Sequence, residues 1–281
     1  MIKLLLLTIL FLTSCKKHEA VAATVFSSEI KSRAALYVSL NTQWAHGKCD
    51  SLGFTALCKL AGGCQDADIF QAEDNGMWYR TPDHKCYDAG ESASDLSKDM
   101  MIMLLPYLYS SGNIDAIKRI KDYGRGHGWR FGRGPISRTL MTPPIIALIY
   151  RMTGEASPPQ EIEQRGFEKH LDALWVFNTS LVGDSISNSQ FIKIERLAEE
   201  QPKNALFQAL YHRFFDGNQS AAISILMDEK LFPSDRLPTA RDRCEPYLWQ
   251  RDDGPDWAPC DSDLTHDGID FLFAAWAAGQ T

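Results

Sequence analysis

Three stretches of the chain combine aromatic rings with arginine and carboxylate side chains. The first contains Asp74, Asn75, Trp78 and Arg80; the second contains His127, Trp129, Arg130, Arg133 and Arg138. The third contains Arg241, Arg243, Glu245, Tyr247, Trp249, Arg251, Asp252 and Trp257. Sugars have flat apolar faces edged by hydroxyl groups, so such combinations suit them, and arginine forks also suit the carboxylates of uronic or muramic acids. The pattern predicts a binding surface contributed by Trp78, Arg80, Trp129, Arg130, Tyr247 and Trp249. The alternative is that the tryptophans pack loops onto helices and the arginines form structural ion pairs.

Two carboxylates are predicted to act as acid and base if the chain hydrolyses a glycosidic bond. That reaction needs carboxyl groups roughly 5 to 10 Å apart across the bond, and Asp99 and Asp252 are the candidate pair. Asp95 and Asp99 share one face of a predicted helix because they are four residues apart. The alternative is that Asp95 only stabilises the helix N-terminus and that Asp99 pairs with an arginine of the second stretch.

A histidine between two glycines, His127, is the predicted base of the rival chemistry, elimination from a uronate. A neutral imidazole can accept a proton at pH 7. Tyr123 or Tyr247 would assist, Tyr247 is the alternative base, and Arg130 would neutralise the carboxylate of the sugar. The alternative is a turn histidine that makes backbone hydrogen bonds.

The order of these stretches resembles the (α/α) toroid proteins, the six-hairpin glycosidases and related polysaccharide lyases. The resemblance covers about residues 70 to 275 and rests on the runs GMWYRTPD, SASDLSKDMMIMLLPYL and GNIDAIKRIKDYGRGHGWRFGRG. It implies helical hairpins whose loops form a sugar-binding cleft at one end. The predicted helices are too few for six full hairpins, so a partial toroid is the corresponding expectation.

Helical periodicity dominates the chain and predicts an all-α fold. Helices are expected at 29–44, 50–61, 94–110, 113–123, 143–153, 160–178, 187–201, 203–216, 219–229 and 265–278. Ser94 is the predicted cap of the third helix, and Asn113 that of the fourth. Short connections make neighbouring helices antiparallel. The long segments 62–93, 124–142 and 231–264 interrupt this rhythm and carry the three polar and aromatic stretches.

The N-terminus resembles that of a bacterial lipoprotein. One lysine, the apolar run Leu4 to Leu12 and the segment Leu12-Thr13-Ser14-Cys15 match a secretory signal peptide with a lipobox. This resemblance implies a signal peptide at 1–14, lipid on Cys15, a tether at 15–27 and one helical domain at 28–281. It also implies anchoring in the cell envelope, at the outer membrane facing the periplasm. The alternative is an ordinary signal peptide with an incidental cysteine.

Composition and cysteine spacing limit which partners, disulfides and cofactors are expected. A formal charge of -7 argues against a nucleic-acid partner. Six cysteines besides Cys15 favour disulfides in an oxidising compartment: two bridges among Cys49, Cys58, Cys64 and Cys86, and one between Cys244 and Cys260. The cysteines form no CxxC pair and the histidines are scattered, so neither a metal nor another cofactor is predicted.

The sequence therefore predicts an envelope-anchored protein that binds a polysaccharide or cell-wall glycan, with cleavage by hydrolysis or elimination as its catalytic form. The alternative function is a non-catalytic scaffold or interaction protein. A glycan enzyme should gather its loops around one concave site, whereas a scaffold should expose an apolar patch.

Overall fold

The computed structural model describes residues 28–45, 49–85, 96–132, 139–156, 170–243 and 265–279. It is mostly helical, which confirms the all-α prediction. The helices are α1 (28–40), α2 (Ser51–Leu60), α3 (Lys98–Ser110), α4 (Ile114–Gly126), α5 (Pro143–Met152), α6 (His170–Leu181), α7 (Asn188–Glu200), α8 (Ala205–Phe215), α9 (Ser220–Leu226) and α10 (Ile269–Ala277). Two short 3-10 helices lie at Ile69–Ala72 and Ala240–Arg243.

Four two-residue strands, which the sequence did not predict, form two antiparallel pairs in the described residues. Strand β1 (Glu73–Asp74) pairs with β2 (Met77–Trp78), and β3 (Arg130–Phe131) pairs with β4 (Thr139–Leu140). Both pairs lie within the long segments that interrupt the helical rhythm, so they add local order there without changing the fold class.

The core is centred on α3, which is apolar on nearly every side. Its residues from Met100 to Pro106, together with Leu108, are buried, and it contacts α2, α4, α5 and α6. A helix that is hydrophobic all round is stable only when neighbours cover every face. The contacts of α3 therefore organise the N-terminal half, while the equally buried α10 packs against α2, α8 and α9.

The cap of α3 differs from the prediction. Ser97, not Ser94, is the N-cap, and its Oγ accepts a hydrogen bond from the backbone N–H of Met100 at 3.2 Å. The described helix therefore begins at Lys98, later than predicted. Asp99 consequently occupies the first turn, where a carboxylate interacts favourably with the helix dipole.

The first helix, α1, is held to the C-terminal half through a buried arginine. Arg33 donates to the backbone carbonyl of Leu226 at 3.0 Å and to the carboxylate of Glu229 at 2.6 Å. Because an arginine buried without partners costs several kcal/mol, these bonds require α1 to remain against the end of α9. This contact joins α1 to the segment that follows α9.

One disulfide closes the end of α2, between Cys58 and Cys64. It lies within the predicted group of four cysteines, and Cys49 is disulfide-bonded as well. Cys244 and Cys260, the predicted third pair, lie outside the described residues, as does Cys15. In the part of the chain that the structure describes, no helix has the length and apolar character needed to span a bilayer.

Candidate functional site

Helices α3 and α4 form an antiparallel hairpin because only Ser111, Gly112 and Asn113 separate them. Each helix has 13 residues, so the start of α3 and the end of α4 lie at the same end of the hairpin. We call this region the open end and define it by Asp99, Tyr123, His127, Trp129 and Arg130. The two predicted chemical groups Asp99 and His127 therefore share one side of the fold.

Asp99 faces a histidine that the sequence analysis did not single out. His170, the first described residue of α6, places its Nε2 atom 3.5 Å from Oδ2 of Asp99. The histidine is 7% exposed. A carboxylate beside an imidazole orients the ring, which is the arrangement of many acid–base pairs. No local pattern pointed to His170, since the contact joins two helices 71 positions apart.

His127 is exposed and stacks on Tyr123, with ring centroids 4.0 Å apart and an interplanar angle of 14°. Its Nδ1 lies 2.8 Å from the carbonyl oxygen of Tyr123. A carbonyl oxygen only accepts, so Nδ1 carries the proton and Nε2 of the neutral ring is the basic nitrogen. The geometry thus contains the backbone hydrogen bond that the turn-histidine alternative predicts, made by a ring that is exposed.

Trp129 packs between the second polar stretch and the helices. Its φ is +59°, and its backbone N–H donates to the carbonyl of Gly124 at 2.7 Å. A Cβ added at Gly124 would lie 2.5 Å from the indole, so only glycine admits this close contact. The ring also lies 5.9 Å from that of Tyr150. Trp129 is therefore half-buried, as the packing alternative predicted, while Arg130 beside it in β3 is exposed.

The first polar stretch also contacts α4. Asn75 and Gly76, with φ of +50° and +88°, form the two-residue turn between β1 and β2. Gly76 lies against the carbonyl of Arg119 and the Cβ of Tyr123, leaving no room for a side chain. The Arg119 guanidinium binds both carboxylate oxygens of Glu73 at 2.6 Å. The first two predicted stretches therefore meet on α4, and the Asn-Gly pair was an available turn signal for it.

Trp78 is a core residue rather than an exposed platform. Its side chain is 0% exposed and lies 5.7 Å from the ring of Phe70, and its Nε1 has no hydrogen-bond partner among the described residues. Burial of so large an apolar ring outweighs the loss of one hydrogen bond. A sugar-stacking face must be open to solvent, so the role predicted for Trp78 does not fit this position.

Arg80 ties the first stretch to the start of α2. Its NH1 lies 3.4 Å from the Asp50 carboxylate, and its carbonyl accepts the backbone N–H of Leu52 at 2.8 Å. The side chain is largely buried. This ion pair matches the structural alternative stated for the arginines.

The third stretch departs from another part of the fold. Its stem is the bridge between Thr239 and Thr265, beside Asp267, whose carbonyl accepts from Asn41 Nδ2 at 2.6 Å. The carbonyl of Asn41 in turn accepts the N–H of Cys64, just beyond the C-terminal end of α2. Arg80, by contrast, adjoins the N-terminal end of α2. Tyr247, Trp249 and Asp252 lie outside the described residues.

The stem is stabilised by an acidic residue whose titration is strongly shifted. Hydrogen bonds from Arg236, followed by those from the backbone and hydroxyl of Thr239, lower the pKa of Asp242 from its ordinary value of 3.8 to about 2. Asp242 is therefore a structural carboxylate, ionised throughout the physiological range.

A groove of about 480 Å³ lies at the C-terminal ends of α6 and α10, lined by Phe177, Leu181, Arg213, Gln219, Trp276 and Ala278 among others. None of the predicted site residues lines it. Among the residues that the structure covers, no cluster of three or more histidine, cysteine or acidic side chains is arranged to hold a metal ion.

Comparison with known proteins adds no assignment. No protein family, no curated protein and no solved structure matches this chain.

Proposed function

We propose that the chain is an envelope lipoprotein whose folded body binds a polysaccharide or cell-wall glycan at the open end of the α3–α4 hairpin. The observation that carries the proposal is the meeting of two distant polar stretches on α4, beside the exposed His127 ring. In this proposal the helical hairpins form a partial toroid, with the ligand bound across its loops.

The described groups have chemistry that suits an acidic sugar. The exposed Arg130 guanidinium can bind a carboxylate through two parallel hydrogen bonds. The exposed carboxamide of Asn75 can bond sugar hydroxyl groups, and the His127–Tyr123 stack offers an aromatic edge. These three features replace the platform predicted at Trp78.

If the protein cleaves its ligand, elimination fits the described residues better than hydrolysis. Nε2 of His127 can take the proton beside a uronate carboxylate held by Arg130. Hydrolysis requires the carboxylate of Asp252 opposite Asp99, and Asp252 lies outside the described residues.

A glycan panel tests binding directly. The chain with Cys15→Ser, which removes the predicted lipid acceptor, is screened against neutral, uronate-containing and muramate-containing glycans. We expect binding to acidic glycans, with a loss of about tenfold or more in Arg130→Gln, the scale of one hydrogen bond to a charged group. We expect a smaller loss in His127→Ala. The matched control is His84→Ala, which removes a similar stack on Tyr79 (3.9 Å, 14°) from a position not assigned to the ligand. No binding to any acidic glycan would refute the proposal.

The anchor is tested separately by growing cells with an alkyne-tagged fatty acid. The full chain should incorporate the label, and Cys15→Ser should abolish it. Ser14→Ala keeps a small residue before the cysteine and should retain the label. Persistence of label in Cys15→Ser would contradict the lipoprotein assignment.

A second candidate, an interaction protein without catalysis, is favoured by one observation. Phe191 of α7 and Tyr211 and Phe215 of α8 form an aromatic surface, which, together with the neighbouring exposed Ile192, we call the ridge. Phe215 is 60% exposed and Ile192 is 51% exposed. Contiguous exposed apolar groups commonly mark interaction sites.

A further inference from the structure

The ridge is an ordered aromatic surface. The rings of Tyr211 and Phe215 stack with centroids 5.2 Å apart at 11°, and Phe191 lies 5.9 Å from Tyr211 and 6.4 Å from Phe215. Three rings of the α7–α8 hairpin therefore form one ordered cluster, and the exposed Ile192 follows Phe191 in α7. Large apolar side chains held in place lose little conformational entropy when a partner covers them, which is typical of binding hot spots.

Two carboxylates near Tyr211, those of Glu195 and Glu199, form no salt bridge with any residue that the structure describes. Among the described residues, no lysine, arginine or histidine lies within ion-pair distance of Glu195 or Glu199. The basic residues of α7 are engaged elsewhere, since Lys193 pairs with Asp172 at 2.7 Å and Arg196 with Glu200 at 2.6 Å. Within the described part of the chain, the ridge therefore has a negative edge.

These carboxylates act on the ring at the centre of the ridge. Partial burial of its phenol raises the pKa of Tyr211, and the negative charges of Glu195, Asp216 and Glu199 raise it further. Asp216 itself is paired with His212 at 2.9 Å, which leaves Glu195 and Glu199 as the groups available to a partner.

We propose that the ridge binds a cationic amphipathic helix of another protein, with the apolar face of that helix on Phe215 and Ile192 and its basic residues beside Glu195 and Glu199. The inference rests on the second candidate function and names its partner. Amphipathic helices dock through apolar anchors at helical spacing, and opposite charges at the edge fix the register and speed association.

The negative charge of Glu195 and Glu199 also argues against two other occupants of the ridge. A second copy of the chain would bring the same carboxylates to the interface, where like charges repel. An anionic lipid surface would be repelled by the same groups.

The test uses the full chain and two labelled 18-residue helical peptides. Both carry leucine at positions i, i+3, i+4 and i+7; one has lysine on its polar face and the other has glutamate. Fluorescence anisotropy should show binding of the lysine peptide and at least about tenfold weaker binding of the glutamate peptide, with affinity falling as salt rises.

Matched variants assign the binding to the ridge. Phe215→Ser and Ile192→Ser should each weaken it about tenfold, whereas Leu140→Ser, at a leucine 47% exposed in β4, should leave it unchanged. Glu199→Gln should weaken binding and reduce its salt dependence, while Glu200→Gln, at a carboxylate already paired with Arg196, should not. Equal binding of both peptides, or equal effects of variant and control, would overturn the proposal.

A photocrosslinking residue placed at position 215 separates this inference from the function on which it rests. If neither peptide binds but the full chain crosslinks to an envelope protein in cells, the partner chemistry is refuted and the interaction function stands. If neither peptide binding nor a crosslink is found, both are refuted. A dimer that depends on Phe215 would also overturn the cationic partner.

Discussion

The open end and the ridge use aromatic residues in opposite ways. At the open end, Trp129 fills the space over Gly124, and in the adjoining β1–β2 hairpin Trp78 is wholly buried, so both tryptophans stabilise loops. On the ridge, Phe215 contributes little to the core and remains 60% exposed. An aromatic residue in these glycine-rich loops is therefore used to pack the loop onto the fold. An aromatic residue on the outer side of a formed helix stays exposed and can contact a partner.

The largest effect is expected where the first stretch contacts α4. Gly76→Ala places a methyl group against the backbone of Arg119 at a φ of +88°, and strain and overlap together should lower the free energy of unfolding by about 3 kcal/mol. At Gly217, where φ is +73°, an added Cβ would meet no neighbouring atom, so Gly217→Ala introduces only backbone strain. It should lower the free energy of unfolding by about 1 kcal/mol. Urea unfolding followed by circular dichroism measures both. Equal losses would show that the hairpin does not press on α4.

The same truncation in the two regions should have unequal effects. Trp129→Ala removes a half-buried wedge between Gly124 and Tyr150 and should cost about 2 kcal/mol, less than a fully buried tryptophan. Phe215→Ala should change stability by less than about 0.5 kcal/mol because the side chain is mostly in solvent. Thermal and urea unfolding of the two variants provide the measurement. A destabilisation at Phe215 as large as that at Trp129 would remove the distinction between the regions.

Acid should weaken the stem of the third stretch, which belongs to neither region. The folded-state pKa of Asp242, about 2, is below its ordinary value of 3.8. Its stabilising contribution is therefore full above about pH 5 and is lost as the pH falls through 4 towards 2. Asp242→Asn should lower stability at pH 7 by about 1 to 2 kcal/mol, and the difference from the parent should vanish near pH 2.

Urea unfolding at pH 7, 4 and 2.5 checks this prediction. Asp235→Asn, a change at an exposed neighbour of the same arginine, is the control and should have little effect. A pH-independent difference between Asp242→Asn and the parent would contradict the assigned cause. Loss of glycan affinity in Asp242→Asn would instead join the third stretch to the open end.

The smallest effects are expected from two ion pairs with the same 2.6 Å separation. Arg119 pairs with Glu73, whose side chain is 9% exposed, whereas Arg196 pairs with Glu200, which is 41% exposed. Arg119→Gln should cost about 0.5 to 1 kcal/mol and Arg196→Gln close to zero, because solvent screens the second pair more strongly. Repeating the unfolding measurement in 1 M salt should bring the first value towards the second.

The helices were largely predictable because their signals are local. The expected 113–123 and 187–201 compare with the observed Ile114–Gly126 and Asn188–Glu200. The cap of α3 was placed at Ser94 instead of Ser97, since several serines near a helix start satisfy the same rule. The β1–β2 turn was missed although Asn-Gly is a usual sequence signal for such a turn. The two-residue strands on either side were too short to stand out against the helical periodicity of the rest of the chain.

The site was less predictable because burial and pairing depend on the whole fold. Trp78 and Phe215 are both aromatic residues in stretches that mix aromatic and polar side chains, yet one is enclosed and the other exposed. Nothing within a few residues of either position distinguishes them, since each outcome depends on which distant helix lies opposite.

The sequence by itself determined the approximate positions of the helices, the group of four cysteines in which a disulfide forms and the location of the three polar stretches, because these follow from period, composition and spacing along the chain. Only the tertiary structure decided that His170 faces Asp99, that the first two stretches meet on α4 and that the ridge stays uncovered. Those outcomes are set by helix packing, in which residues far apart in the chain compete to cover the same apolar surface.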